Sequence, residues 1–318
     1  MGREPRFLDA PPLVLPAPHV GVVLATHRRP QLMRRALASI LEQDYPGAIT
    51  VLVVHDKCDT DESLALEADQ RQVLPVANSR TPGLAGARNT GILGLTTEFV
   101  AFCDDDDTWF PGKLTRQIAA LQDNPEAEFC STSMSVDYSG SASVRLAGKT
   151  EVTYEDLLRS RMAMVHSSSF VIRRDALLST IGLVDEEIPN SMCEDWDLLL
   201  RAARRKPILH VDSPLVKVSW GGSSYFYEQW EVKNRAHLWM LEHHPDILRS
   251  SVGKSRVFGQ LAFGHAALGN RREAFRWAGR SLRANWREPR AVLALGVAAG
   301  VVSDRRVVDR LQRHGHGI

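Results

Sequence analysis

Four aspartates stand side by side in this chain, Asp104 to Asp107, directly after the apolar run EFVAFC. A second apolar run, ITVLVVH, ends in Asp56. Further on, CEDWDLLLRAARR places Glu194 and Asp195 at the start of a strongly helical segment. Adjacent carboxylates repel one another, and four at one strand end are costly unless a cation neutralises them. An all-oxygen donor set suits a hard ion, Mg2+ or Mn2+, whose remaining shell is filled by water and phosphate oxygens. In an open parallel sheet, ligands collect outside the carboxyl ends of the strands. Acids in that place point to metal-assisted phosphate chemistry. The plainer alternative is a solvated acidic loop, with Asp107 or Thr108 capping the helix that begins near Pro111.

The elements that must hold these acids are read from periodicity. Residues 19–27 (HVGVVLATH), 49–56, 72–78 and 98–103 read as strands, the valine-rich ones as buried parallel strands. Pro30 opens a helix with Leu32, Met33, Ala36, Leu37, Ile40 and Leu41 at helical spacing. DTDESLALEAD predicts a polar turn and a helix, residues 83–95 a glycine-interrupted helix, and residues 111–123 a helix with proline at its start. This alternation predicts an α/β domain with a parallel sheet. Beyond residue 123, EFCSTSMSVDY and SVRLAGKTEVTY predict less regular strands, SSSFVIRRDALLSTIG a strand leading into a helix, and ILHVDSPLVKVSW one or two strands. From about residue 225 the chain reads as helical. FGQLAFGHAALGNRREAFRWAGRSLRANWREP is close to a tetratricopeptide-type hairpin, and a single such unit reads as a helical cap.

Composition narrows the classes. The 318 residues carry a net charge of +1 and are 44% hydrophobic, enough for a large core and no signal for nucleic acid. The four cysteines are far apart and form no metal or disulfide pattern, which fits a reducing cytosol. The proline-rich N-terminus has no signal-type apolar stretch. The longest apolar run, residues 291–302, is about a dozen residues where a bilayer span needs roughly 20. Between Arg271 and Arg313, eleven arginines face four acids. A solvated helix face accounts for them, and peripheral docking to the inner face of an anionic membrane is the sharper alternative.

Five segments in order resemble GT-A fold glycosyltransferases of family 2, the large inverting group, over about residues 19–220. They are VGVVLATHRRPQLMRRALASILEQDYP, VLVVHDKCDTDES, GLAGARNTGI, FVAFCDDDDTWFPGKL and HSSSFVIRRDALLSTIGLVDEEIPNSMCEDWDLLLRAAR. The resemblance implies a Rossmann-like α/β fold with a mostly parallel central sheet and a C-terminal helical extension. It implies an arm at 1–18, a catalytic domain at 19–224 (nucleotide-binding half 19–123, acceptor half 124–224) and a helical region at 225–318. Ala25, Thr26 and His27 would line the nucleotide pocket, Asp56 would accept the uracil N3–H, and Arg88 would hold the nucleotide. Asp104 and Asp106 would be the outer members of the Asp-x-Asp pair, with Asp106 the direct ligand of Mn2+ or Mg2+. Asp105 would contact the donor ribose or sugar, and Asp195 would be the general base. On spacing alone Glu194 and Asp195 are N-terminal helix acids; the resemblance puts Glu194 and Trp220 on the acceptor side, Trp220 where many relatives have histidine. The implied activity is metal-dependent, inverting transfer from a nucleotide sugar, UDP-linked, to an acceptor hydroxyl in the cytoplasm. Two alternatives stand beside it. One is a haloacid-dehalogenase-type phosphatase with Asp104 as nucleophile and Asp106 as acid/base, which lacks a later GDxxxD element. The other is a non-catalytic sugar-nucleotide-binding protein.

Overall fold

The computed structural model describes residues 17–138, 141–220 and 229–313. Strand β1 (Val20–Thr26) is buried along its whole length, as a valine-rich strand covered on both faces must be. Its side chains alternate between two cores: Val22 and Leu24 enter one, Val23 and Ala25 the other. Helix α1 (Pro30–Leu41) fills the first core with Met33, Ala36, Leu37 and Ile40. β2 (Ile49–His55) pairs in parallel with β1. Residues 59–69, where the sequence predicts a helix, form a 3-10 turn (Glu62–Leu64) and the short strand β3 (Leu66–Ala68). Asp61 turns its side chain onto the Ser63 N–H, which competes with helix formation, and β3 is exposed throughout, so no apolar stripe anchors a helix there. β3 runs antiparallel to β4 (Arg71–Ala77), which pairs in parallel with β2.

Helix α2 (Leu84–Gly94) crosses β1 so closely that a Cβ on Gly91 would stand 2.4 Å from Val23 Cγ1. That contact explains the glycine within a helical pattern. β5 (Phe99–Asp104) pairs in parallel with β1 on the side away from β2 and delivers Asp104 at its carboxyl end. The aspartate run then turns into β6 (Thr108–Trp109) and α3 (Lys113–Asp123). Neither Asp107 nor Thr108 caps α3. Its N-cap is Gly112 in the left-handed conformation; Thr108 pairs with the last long strand and Asp107 points inward. Lys113, fully buried, sets its Nζ 3.9 Å from the Trp109 ring centre.

The sheet continues through β7 (Phe129–Tyr138), β8 (Ser141–Arg145), β9 (Glu151–Val152), β10 (Val171–Arg173) and β11 (Ile208–Trp220), in the order β3-β4-β2-β1-β5-β10-β7-β11-β6. β10 lies antiparallel between β5 and β7, whereas β11 is parallel to β7. Register shifts between Val211 and Val216 explain why β11 reads as one strand or two. Helices α4 (Tyr154–Arg159), α5 (Arg174–Ser179) and α6 (Glu194–Arg205) lie in this half. The chain then runs through α7 (Trp230–His243), α8 (Ser251–Ala267), α9 (Arg271–Ala284), α10 (Pro289–Ala298) and α11 (Asp304–Arg313).

These last helices are continuous with the sheet. Val23, Leu52 and Phe102 share one core with Trp196, Trp230, Phe263, Ala278 and Ala294. α8 rests directly on the end of α4, where a Cβ on Gly253 would meet the Leu158 carbonyl oxygen at 1.9 Å. α8 and α9 form a hairpin whose turn uses Gly269 at φ +76°, a left-handed helix end. No described helix is long and apolar enough to cross a membrane.

Candidate active site

The carboxyl ends of β1, β2 and β5 and the N-terminus of α6 open on one cavity of about 570 Å³. Ala25, Thr26, His27 and Asp56 line it from the strand ends, and Asp104 to Asp107 from the turn after β5. Glu194 and Asp195 line it from α6, and Lys233, His237 and Gln260 from the helical region. Asp56 is locked in place: its Oδ1 accepts from Asn78 Nδ2 at 2.8 Å and from the Gly83 N–H at 3.0 Å. Its Oδ2 has no hydrogen-bond partner among the described residues. His27 Nδ1 donates to the Asp56 carbonyl at 2.6 Å, fixing the two strand ends to each other.

The aspartate turn is closed by the Asp107 N–H on the Asp104 carbonyl at 3.1 Å. Each carboxylate then takes a different set of donors. Asp104 accepts from Arg88 Nη2 at 2.6 Å and from Ser167 Oγ at 3.0 Å. Asp105 accepts from Thr26 Oγ1 at 2.8 Å, and Arg29 Nη1 lies 3.3 Å from Asp105 and 3.0 Å from Asp106. Asp107, almost wholly buried, accepts from Ser168 Oγ at 2.6 Å and the Ser219 N–H at 3.2 Å. His166 Nδ1 stands 3.3 Å from Asp107 Oδ2. Ligand atoms of Asp104, Asp107 and His166 all lie within 4.8 Å of one another, an arrangement able to hold a metal ion. Asp106 is not in that group; its partner is Arg29.

The electrostatics divide the turn. Burial works to raise the Asp104 carboxyl, but Arg88 and then His166 outweigh it and hold it below the usual carboxylate range. Burial raises Asp105. Burial, then the charges of Asp104 and Asp105, push Asp106 up to about 6. Asp107 goes well above the usual range through burial and its neighbours Asp106 and Asp104. Excess negative charge therefore gathers at Asp105 to Asp107, where one more cation would bind favourably.

The acids of α6 are presented by a strained turn. Asn190, Ser191 and Cys193 all have left-handed φ, at 52°, 56° and 75°. Ser191 Oγ accepts from the Ala85 N–H at 3.0 Å, which ties this turn to the start of α2. Glu194 pairs with Arg88 Nη1 and is raised to about 7, by burial first and by Asp195 and Asp104 after it. Asp195 accepts from Arg161 Nη2 at 2.6 Å and from the Trp196 N–H at 2.7 Å. Burial opposes its ionisation, but Arg161 prevails and holds it below the usual carboxylate range.

Some expected contacts take another form. Arg88 does not line the cavity. It is 2% exposed and bridges Asp104 to Glu194, joining the two acid clusters. On α6, the helix of Glu194, Asp197 is buried, pairs with Arg201 at 2.8 Å and meets His244 at 2.7 Å. The Trp220 side chain lies outside the described residues. Sequence reading missed Arg29, Arg161 and His166. His166 opens the quoted HSSSF segment, which was the available signal; no local pattern marks Arg29 or Arg161.

A sheet with parallel strands β4-β2-β1-β5 thus carries an acidic turn at the β5 end and faces a second acid pair across the cavity. Residues 21–179 match the pattern of "Glycosyl transferase family 2", and the chain belongs to that family. It is 25% identical over 141 residues to the Escherichia coli "UDP-Glc:alpha-D-GlcNAc-diphosphoundecaprenol beta-1,3-glucosyltransferase WfgD", covering 44% of this chain and 55% of that one. It is 37% identical over 92 residues to the Rhizobium meliloti (strain 1021) "Succinoglycan biosynthesis protein ExoW", covering 27% and 28% of the two chains. The chain thus spans about half or less of the length of these relatives. The structure of S. aureus TarS 1–349 in complex with UDP-GlcNAc overlays with a TM-score of 0.53 at 19% identity, covering 93% of this chain and 92% of that one, a likeness of fold.

Proposed function

We propose that this chain transfers a sugar from a UDP-linked donor to an acceptor hydroxyl with inversion. One observation carries the reading: Asp56, the aspartate turn and Asp195 come from distant parts of the sequence and converge on one cavity. Asp56, held by Asn78 and Gly83, has Oδ2 left to accept the uracil N3–H. The donor set also fits a hard divalent cation, since Asp106 and Asp107 are raised first by burial and then by the negative charge of their neighbours, which a cation would offset. Asp104, Asp106, Asp107 and His166 all line the cavity, and Asp104 with Asp106 or with Asp107 and His166 would hold the ion. When bound, such an ion stabilises the negative charge that develops on a departing diphosphate.

The protein's own groups supply the rest. Arg29, now on Asp105 and Asp106, is placed to meet donor phosphates at the start of α1. Asp195, kept ionised by Arg161, accepts the proton of the acceptor hydroxyl as that oxygen attacks the anomeric carbon. A single displacement through an oxocarbenium-like transition state inverts the centre, so an α-linked donor gives a β-linked product. The phosphatase alternative has little support, because both oxygens of Asp104 are held by Arg88 and Ser167. The arginines of α9 read as a solvated face. Arg276 and Arg280 stack on Trp277, and Arg276 pairs with Glu273, so we assign this surface no membrane.

The test is a thermal-shift series with nucleotides and Mn2+. UDP should raise the Tm more with Mn2+ than without it, since a ligand stabilises the state that binds it. An identical UDP response with Mn2+ and with chelator would sink the metal-dependent reading, and no UDP response at all would sink the donor assignment.

A further inference from the structure

Basic side chains line the same cavity as the acids. Arg161 reaches it from the segment after α4, and Lys233 and His237, one turn apart, reach it from α7. Arg161 is the only one of the three with a carboxylate partner in these contacts: its Nη2 holds Asp195. Lys233 is mostly buried and makes no ion pair among the described residues. Its Nζ lies 4.2 Å from the centre of the Trp230 ring, which offers the ammonium a π-face and no counter-charge. Burial first, opposed by Cys193 and aided by Arg161, lowers Lys233 to about 8. His237 is lowered to about 4, first by burial, then by the positive charges of Arg161 and Lys233, so it is a neutral imidazole. α11 adds both Asp304 and Arg305 to the lining.

A largely desolvated ammonium without a carboxylate is costly, and the positive charge of Arg161 in the same cavity raises that cost. An anion entering the cavity offsets it. The position matters as much as the charge, because Arg161 also holds Asp195. An anion held by Lys233 and the remaining N–H groups of Arg161 therefore sits next to the proposed general base. Donors arriving from two elements suit oxygens presented in several directions, as on a tetrahedral phosphate, better than a planar carboxylate.

We propose that Arg161, Lys233 and His237 form an anion subsite that binds a phosphate group carried by the acceptor, beside the hydroxyl that attacks. This rests on the glycosyltransferase reading above and names its acceptor class. Binding energy from that remote phosphate would orient the hydroxyl against Asp195.

The test uses the full chain with a chelator present, so that the aspartate turn repels anions, and follows Tm during titration. Inorganic phosphate and a water-soluble glycosyl phosphate should both raise the Tm above a chloride control of matched ionic strength, the glycosyl phosphate at lower concentration. Lys233→Gln should weaken both by about tenfold or more, the size expected for one charged hydrogen-bonding group. Lys233→Arg should restore part of the response. Equal responses in wild type and Lys233→Gln, or none in wild type, overturn the subsite. A response to inorganic phosphate alone overturns the acceptor assignment and leaves a site for free phosphate. UDP with Mn2+ is titrated in parallel on each variant. A normal UDP shift without a phosphate response removes only the subsite, whereas a missing UDP shift in wild type removes the donor reading itself.

Discussion

The turn after β5 and the turn before α6 each carry acids into the same cavity, and they meet opposite fates. At the β5 turn, four carboxylates have Arg29 and Arg88 for company, and three of the four are raised. At the α6 turn, Asp195 has Arg161 to itself and is lowered. The first turn lacks a cation; the second has its cation in the protein. On the proposed reading, two acid sites of similar composition would do different work, one gathering a metal and phosphates, the other staying ionised to take a proton. Arg88 links them, with one amino group on Asp104 and another on Glu194.

The sharpest way to break this contrast is to neutralise one member of each turn. Asp195→Asn should leave UDP and Mn2+ binding intact and slow transfer by about 10²–10⁴-fold, the range for a lost general base. Calorimetric UDP titration beside a transfer assay checks it. A variant that still transfers at half the wild-type rate would strip Asp195 of its role. Asp106→Ala should do the reverse and remove the Mn2+ dependence of UDP binding. His166→Ala discriminates between cation sites: if it abolishes Mn2+ binding while Asp106→Ala spares it, the ion sits on Asp104, Asp107 and His166. Cutting the link comes next in size. Arg88→Met strands Glu194 and Asp104 without their shared partner, and breaking a buried ion network of this kind costs about 3–5 kcal/mol. Urea unfolding would show the loss, and a cost near zero would mean that Arg88 is not the tie between the turns.

The two turns also differ in how far the sequence disclosed them. The β5 turn was plain, because a strand of fully apolar residues and a run of carboxylates are both local patterns. The parallel half of the sheet followed from valine-rich strands alternating with helices for the same reason. The α6 acids were visible only as helix-start acids, and it took resemblance to give Asp195 a role. What makes Asp195 different from Asp197 is tertiary: Arg161, 34 positions away, faces one, while Arg201 and His244 face the other. The ion pairs of Arg88 were hidden for a related reason. Its segment gives its helix but not its direction, and the side chain turned inward between two acids. Asp107 looked like a cap because it precedes a helix, yet Gly112 starts that helix and Ser168 and Ser219 draw Asp107 inside. Residues 59–69 failed as a helix because one Asx-type bond at Asp61 outweighed a weak pattern.

The smallest expected effect tests the missing cation directly through pH. Asp106 is raised to about 6 in the folded chain against about 4 when unfolded. The unfolded chain therefore loses this proton first, and the stability tied to it is present below about pH 4 and lost as pH rises to about 6. Histidines kept neutral by burial, His166 and His237 among them, titrate in the opposite sense, so total stability hides the effect. Comparison with Asp106→Asn cancels them. In chelator, the variant should gain on the wild type between pH 4.5 and 6 by about 1–3 kcal/mol and hold that gain above pH 6. Mn2+ added at pH 7 should then stabilise the wild type more than Asp106→Asn, which lacks the carboxylate proposed as the direct ligand. Urea unfolding at several pH values, with and without Mn2+, reads both halves. A flat difference across this range would mean that Arg29 already balances the turn and that it resembles the Asp195 turn after all.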